Sequence, residues 1–297
     1  MKVLLIGASG QLAQDIAHEF ASKPTSDTLV AVTHEQLDIR DAARVQETVS
    51  QSKASVIINT AAFHRVDDCE DQQELAFAVN EGGVRNLALA AESAGALLVQ
   101  FSTDYVFDGA KRSPYLETDE TRPLSVYGKS RLAGERAVQQ NCSRYLIVRT
   151  CGLYGLAGSR SKSGNFVETM LRLASHGTKI TVVDDQVCTP TSTRDLTRAL
   201  LPLVRAGVRG LFHMTNTGEC SWFQFAQNIF RLAEVTADLQ PTSSKAFGAK
   251  ARRPAYSVLE NSALRAAGFQ EFRPWQEALS EHLRLRQQLG QFQNLSA

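Results

Sequence analysis

The stretch that decides the fold is Lys2-Val3-Leu4-Leu5-Ile6-Gly7-Ala8-Ser9-Gly10-Gln11-Leu12-Ala13. Its continuous apolar run over residues 3–6 predicts a parallel strand buried on both faces. Two glycines follow in a G-x-x-G-x-x-A spacing and allow a tight turn into a helix over residues 11–21. Such a turn brings backbone and a helix N-terminus close to a pyrophosphate. We therefore predict a dinucleotide site that includes Gly7, Ser9, Gly10, Gln11 and Leu12.

Strand and helix patterns alternate through the first half of the chain. Buried-strand patterns cover residues 29–32, 56–58, 96–101 and 146–148, and a long helical pattern covers residues 73–93. This alternation predicts an α/β fold with a doubly wound, Rossmann-like parallel sheet and right-handed crossovers.

The pattern changes in the second half. Helical patterns lie at 166–175, 194–205, 221–233 and 275–288, short strands lie near 180–183 and 211–214, and a polar loop lies at 159–163. We predict a dinucleotide-binding domain over residues 1–150, with contributions from about 178–212. A smaller, mainly substrate-binding cap is predicted over residues 151–297.

Composition argues against several classes of function. The chain has 297 residues, 43% hydrophobic and 21% charged, with a net charge of +1, so no nucleic-acid partner is predicted. No apolar run reaches the length of a membrane span. The five cysteines are dispersed without a C-x-x-C pair, which favours a reducing compartment. These features predict a soluble, cytoplasmic protein with no membrane partner.

The end of the second predicted strand indicates the cofactor type. An acidic residue there would bind a ribose 2′-hydroxyl and repel a 2′-phosphate, but this chain has Thr33-His34. The sequence therefore favours NADPH, with NADH as the open alternative. Asp38 and Ile39 are predicted to frame the adenine, and the small residues Ala61 and Ala62 let a cofactor lie close to the next strand.

A candidate catalytic group lies between residues 102 and 131. Ser102 and Thr103 end a predicted strand at the carboxyl edge of the sheet, where either hydroxyl can bond a substrate carbonyl oxygen. Tyr127 can protonate that oxygen as hydride arrives from a nicotinamide. Arg131 is about one helical turn further on, so it shares a face with Tyr127. A cation there lowers a tyrosine pKa that starts near ~10.

The segment Val126-Tyr127-Gly128-Lys129-Ser130-Arg131 and its companion motifs resemble the extended short-chain dehydrogenase/reductases. Within that group they look like the dTDP-4-dehydrorhamnose reductase family. The matching pieces span nearly the whole chain in order. They are residues 7–12, 59–62, 66–67, 70, 76–80, 102–109, 123–135, 149–150, 153–155, 165–167, 185–186, 190–191, 195–196, 253–254 and 256–257.

The resemblance implies NAD(P)H-dependent reduction of a nucleotide-linked 4-keto-6-deoxy sugar, dTDP-4-dehydro-L-rhamnose to dTDP-L-rhamnose. It implies Thr103 and Tyr127 as the catalytic pair, with Arg131 completing the triad and, like Tyr127, contacting the cofactor. It further implies that the residues near the sugar nucleotide are Asp104, Tyr105, Asn165, Gln186, Thr191 and Arg253. The guanidinium of Arg253 suits a pyrophosphate.

Three positions depart from the family pattern. Arg131 replaces a lysine, which keeps the charge in a larger, planar group. Cys151-Gly152-Leu153 stands where many members carry Ser-Trp before the next apolar residue. Some members bind a divalent cation at a dimer interface through glutamates. Here Asp15 is compatible with one ligand but Arg194 falls where another would lie, so no metal is predicted.

Two other functions stay open. One is a cofactor-binding regulatory subunit, since the same resemblance includes the beta subunit of methionine adenosyltransferase. The other is a reductase of a related deoxysugar nucleotide. A nucleotide-sugar substrate is the expected small-molecule partner, and a homodimer is compatible with the sequence.

Overall fold

The computed structural model describes residues 1–22, 26–157 and 164–294. Its strands are β1 (Lys2–Ile6), β2 (Thr28–Val32), β3 (Val56–Asn59), β4 (Leu97–Thr103), β5 (Tyr145–Thr150), β6 (Leu153–Tyr154), β7 (Ile180–Val183), β8 (Val187–Cys188), β9 (Thr191–Ser192), β10 (Gly210–His213), β11 (Cys220–Ser221) and β12 (Leu239–Thr242). Its α-helices are α1 (Gln11–Ser22), α2 (Ala42–Ser52), α3 (Val66–Asp71), α4 (Gln73–Phe77), α5 (Val84–Ala94), α6 (Val126–Asn141), α7 (Phe166–Ser175), α8 (Thr193–Arg205), α9 (Trp222–Ala233), α10 (Ser244–Phe247), α11 (Ser262–Ala266) and α12 (Trp275–Asn294). A π-helical segment covers Ala78–Gly83, and a 3-10 turn covers Asp104–Val106.

Six parallel strands form the central sheet in the order β10-β5-β4-β3-β1-β2. β2 and β3 lie on opposite sides of β1, so the winding reverses there and opens a crevice at the carboxyl ends of the strands. Residues of α1 and α8 bury one face of the sheet, and residues of α2, α5 and α6 bury the other. The predicted doubly wound, Rossmann-like fold is confirmed.

The second half of the chain contributes to both parts of the molecule. α8 and β10 complete the central sheet and its packing. A separate apolar core forms around Phe225, where α7, α9 and α12 pack together. Beside it lie three two-stranded sheets, β11-β8, β12-β7 and β6-β9.

The helical pattern predicted over residues 73–93 is not one regular helix. It divides into α4, the π-helical segment and α5, and both side-chain and backbone atoms of other segments approach this stretch closely. A Cβ on Gly83 would lie 2.5 Å from Ile39, and one on Gly134 of α6 would overlap the carbonyl oxygen of Asn80. The sequence patterns did not predict α2 or β12. The polar loop predicted at 159–163 lies outside the described residues.

Among the residues that the structure describes, no helix combines the length and apolar character needed to cross a bilayer.

Candidate active site

The glycine turn after β1 meets the end of β3 at the crevice. Gly7 has a φ of +81°, and a Cβ there would lie 2.8 Å from the backbone nitrogen of Ala61. Only glycine fits both constraints without strain. The first N–H groups of α1, which have no acceptor inside the helix, begin directly after this turn. The turn and helix end therefore form a cradle that fits the pyrophosphate of a dinucleotide.

Gln11 joins this turn to the cap. Its Nε2 donates to the carbonyl oxygen of Leu153 at 3.1 Å, and its Oε1 accepts from Asn165 at 3.2 Å. Leu12 is buried in the core, while Ser9 stays partly exposed in the turn. Gln11 is therefore fixed by the second half of the chain, and the cofactor roles of Ser9, Gln11 and Leu12 stay predictions.

The predicted adenine residues lie beyond β2. Asp38 accepts hydrogen bonds from Arg40 Nε at 2.9 and 3.0 Å, and these bonds lower the pKa of Asp38 to about 2 despite some burial. The charge of His34 lowers this pKa further. Ile39 is buried. The role of Asp38 and Ile39 in framing the adenine stays a prediction.

β4 and α6 bring Thr103 and Tyr127 together at the carboxyl edge of the sheet. Burial raises the pKa of Tyr127, while the charge of Arg131 and a hydrogen bond with Thr103 lower it. The ring of Tyr127 packs edge-on against Tyr105, with centroids 5.8 Å apart. Because its pKa is raised overall, Tyr127 keeps its proton at neutral pH, as a proton donor must.

Arg131 is 6% exposed and is held by the sheet. Its Nη2 donates to the carbonyl oxygen of Phe101, which also accepts from Gln100 Nε2 at 2.7 Å. Its Nη1 is buried and has no hydrogen-bond partner within the described residues. A buried donor left unpaired costs about 1–3 kcal/mol. This nitrogen therefore suits a ligand hydroxyl, such as one on a nicotinamide ribose.

Close packing fixes α6 against the site. Ser125 caps the helix by accepting from Gly128 N–H at 3.1 Å. A Cβ on Gly128 would overlap the carbonyl oxygen of Tyr105, so glycine lets the helix reach the 3-10 turn. Asn80 Nδ2 donates to Ser130 Oγ at 3.0 Å and thereby joins the π-helical segment to α6. Tyr127 is therefore positioned by contacts at several points along its helix.

Comparison with known proteins identifies the family. The sequence model described as RmlD substrate binding domain matches residues 1–287. The chain belongs to this family. This confirms the resemblance to dTDP-4-dehydrorhamnose reductases.

Individual members of the RmlD family match over nearly the whole chain. The dTDP-4-dehydrorhamnose reductase of Streptomyces griseus is 41% identical over 285 residues, covering 94% of this chain and 91% of that protein. The solved reductase of Clostridium acetobutylicum ATCC 824 is 42% identical with a TM-score of 0.92, covering 97% and 100% of the two chains. The reductase of Bacillus anthracis str. Ames, solved in complex with NADP, is 38% identical with a TM-score of 0.90, covering 95% and 98%.

A buried ion pair supports the site of this RmlD-family chain and was not predicted. Arg149 donates to Glu135 through Nε at 2.9 Å and Nη2 at 2.7 Å. Ser102 Oγ also donates to Glu135, so of the two candidate hydroxyls Thr103 is the one that faces Tyr127. A sequence signal existed, because an arginine near the end of a buried strand needs an acidic partner.

The pyrophosphate candidate Arg253 lies close to the catalytic residues. It interacts with Tyr105 and donates to Asp67 of α3 at 2.7 and 3.2 Å. Burial raises the pKa of Tyr105 well above its usual value, and Asp104 adds to this while Arg253 opposes it. Both residues therefore lie beside the catalytic group, and their contacts with a substrate stay predictions.

The other predicted substrate residues are used within the protein. Asn165 caps α7 and donates to the carbonyl oxygen of Gly155 at 2.8 Å. Gln186 Nε2 donates to Ser244 Oγ at 2.8 Å. Thr191 is completely buried and donates to the carbonyl oxygen of Thr189 at 3.2 Å. Contact of Thr191 with a substrate would require its surroundings to open, and all three roles stay predictions.

Asp15, which the sequence left compatible with a metal ligand, is hydrogen-bonded within the protein. Thr193 Oγ1 donates to Asp15, whose pKa is raised by burial, and Arg194 lies near enough to lower that pKa in part. Across residues 1–22, 26–157 and 164–294, no group of three or more His, Cys, Asp or Glu side chains is arranged to hold a metal ion.

Proposed function

We propose that this protein reduces a dTDP-linked 4-keto-6-deoxy sugar with NADPH, and that its substrate is dTDP-4-dehydro-L-rhamnose. The observation that carries the proposal is that Thr103 lies close enough to Tyr127 to lower the pKa of Tyr127, beside the buried cation Arg131. Family membership and the names of the relatives support the reaction class. NADH as a second reductant and a related deoxysugar as substrate are the alternatives to test.

The residues present divide the reaction between them. Bound NADPH supplies the hydride that the carbonyl carbon accepts. Tyr127 Oη gives its proton to the carbonyl oxygen, so hydride and proton together convert the ketone to an alcohol. Thr103 donates a hydrogen bond to the same oxygen, and the charge of Arg131 stabilises the tyrosinate that remains. Arg253 binds the pyrophosphate of the substrate.

The two halves of the chain would share the work. Residues 1–150, with about 178–212, would bind the cofactor, and residues 151–297 would mainly bind the sugar nucleotide. The addition of β10 and α8 to the central sheet supports the first assignment in part. We further propose that the protein acts in the cytoplasm and that it is a homodimer. Light scattering of the purified protein tests the homodimer.

The deciding experiment follows NADPH consumption by absorbance, with the keto sugar generated in situ. Tyr127→Phe should lose at least about 10²-fold in kcat, because general acid catalysis contributes that much. Its dissociation constant for NADPH should stay close to that of the wild type. Tyr145→Phe is the matched control and should be fully active, because Tyr145 begins β5 and so lies at the edge of the sheet away from the catalytic group.

Each other outcome has a definite meaning. A fully active Tyr127→Phe variant would remove Tyr127 as proton donor. A wild type that binds NADPH but reduces no dTDP-linked 4-keto-6-deoxy sugar would instead favour the regulatory-subunit alternative.

A further inference from the structure

Asp104 is a buried carboxyl directly beside the catalytic threonine. It is 3% exposed, and its Oδ1 lies 2.9 Å from Thr103 Oγ1. Its Oδ2 accepts a hydrogen bond from Cys151 Sγ at 3.0 Å, and Ser257 also hydrogen-bonds the carboxyl. Both oxygens are therefore occupied by neighbours within the protein, which leaves a direct substrate contact as the less fitting role for this side chain.

The protonation of Asp104 controls what Thr103 can do. A hydroxyl has one proton and two lone pairs, and Thr103 Oγ1 already accepts from Tyr105 N–H at 3.2 Å. If Asp104 is ionised, it accepts the single proton of Thr103, and no donor remains for a substrate oxygen. If Asp104 is neutral, it donates to the second lone pair, and the proton of Thr103 becomes available to the reaction.

The position of the acid proton follows from the other contacts. Cys151 remains a thiol donor, because its hydrogen bond with Cys188 and its burial both raise its pKa. Since this thiol donates to Oδ2, a proton on the carboxyl belongs on Oδ1, the oxygen that faces Thr103. The arrangement therefore sets a direction for the hydrogen bond between the two side chains.

The surroundings favour the neutral acid. Burial raises the pKa of Asp104, although hydrogen bonds from Ser257, Cys151 and Thr103 oppose it in part. Among the described residues, no lysine or arginine nitrogen lies within 4.0 Å of its oxygens to compensate a negative charge. The titratable groups that interact with Asp104 are Tyr105, Tyr127 and Cys151, and the groups that act on these neighbours are Cys188, Arg131 and Arg253.

We propose that Asp104 is a neutral carboxylic acid whose Oδ1–H donates to Thr103 Oγ1 and turns the Thr103 proton towards Tyr127 and the substrate carbonyl oxygen. Asp104 is thus a positioning residue that acts through Thr103, and Cys151 fixes the face of the carboxyl on which the proton lies. The proposal deepens the reductase function and rests on it for its catalytic consequence. The protonation state itself can be tested without substrate.

The first test is the infrared spectrum of the intact protein at neutral pH. A protonated carboxyl has a C=O stretch separate from that of carboxylates, and Asp104→Asn should remove one such band from the wild-type spectrum. The band should also disappear from the wild type as the pH rises. Its absence from the wild type at neutral pH would overturn the proposal, even if the Asn variant does not fold.

The second test is the pH profile of kcat. Asp104→Asn should retain kcat within about threefold, because an amide nitrogen also donates permanently to Thr103. It should stay active at alkaline pH where the wild type declines through ionisation of Asp104. Asp104→Ala should lose roughly 10²-fold, as when an oxyanion donor is lost. An Asn variant whose activity falls at the same pH as the wild type would contradict the proposal.

Cys151 supplies a matched pair of variants. Cys151→Ser keeps a donor to Oδ2 and should preserve the wild-type pH profile. Cys151→Ala removes that donor, so the acid proton is no longer confined to Oδ1, and kcat should fall more than in the serine variant. Equal kcat in the two variants would overturn the role of Cys151. If no variant and no wild-type protein turns over the keto sugar, the substrate is wrong, while the infrared result still decides the protonation of Asp104.

Discussion

Arg131 Nη2 donates a hydrogen bond to the carbonyl oxygen of Phe101, and this contact fixes the guanidinium at the end of β4 beside Tyr127. We propose that Arg131 replaces the usual family lysine as the cation that stabilises a tyrosinate.

We expect the wild type to be active and Arg131→Lys to retain kcat within about tenfold, because both carry the charge. Arg131→Met should lower kcat by at least roughly 10²-fold, because the tyrosinate loses its cation and the carbonyl oxygen of Phe101 in β4 loses its hydrogen-bond donor. Steady-state kcat and KM for NADPH measure both effects. Lys129→Met, on another face of α6, is the control. If only the lysine variant turns over, the natural triad is impaired.

Gly128→Ala should displace the catalytic helix. The added Cβ would overlap the carbonyl oxygen of Tyr105, which is backbone and cannot rotate away. A displacement near 1 Å costs about 10²-fold in rate, so we expect a large loss of kcat in a folded protein. Gly82→Ala is the matched control, since its Cβ would meet nothing closer than 3.9 Å. Equal activity of both variants would contradict this account.

Glu135→Ala should destabilise the whole fold. It leaves the buried guanidinium of Arg149 without its carboxylate, a change that costs about 3–5 kcal/mol in comparable buried pairs. Denaturant unfolding measures the free energy. Glu120→Ala breaks an exposed pair with Arg122 and should have no measurable effect. A stability loss as small as that of the control would show that the buried pair is easily replaced.

His34→Asp should weaken the binding of NADPH more than the binding of NADH. A carboxylate after β2 repels a 2′-phosphate and accepts from a 2′-hydroxyl, so KM for NADPH should rise roughly tenfold with little change for NADH. Parallel assays with both cofactors give the ratio of KM for NADPH to KM for NADH. His176→Asp, an exposed change in the cap, is the control. An unchanged ratio would place the 2′-phosphate away from residue 34.

His282 should make the free energy of unfolding depend on pH in the acid range. Burial lowers its pKa from 6.5 to about 4, so the unfolded chain binds a proton before the folded protein does. The contribution of neutral His282 to the free energy of unfolding is complete above pH 6.5. It is lost by ~1 kcal/mol per pH unit as the pH falls towards 4. The unfolding free energy of His282→Phe should therefore fall less steeply over this range. Parallel curves for the two proteins would exclude His282 as the cause.

Most of the fold could be predicted because its signals are local. An apolar run, a glycine spacing and a helical period each involve neighbouring residues, and together they indicated β1, α1 and the doubly wound sheet. The prediction was less successful where close packing decided the geometry. The π-helical segment that divides residues 73–93 packs closely against Gly134 and Ile39, which lie far away in the chain.

The sequence by itself determined the family, the order of strands and helices, and the residue types of the catalytic group. Tertiary structure alone decided how those residues are paired. It joined Arg131 to the carbonyl of Phe101, placed Asp104 between Thr103 and Cys151, and gave Glu135 to Arg149. Many pairings are compatible with the same sequence, and only the sheet register and helix packing bring particular donors within hydrogen-bond distance of particular acceptors.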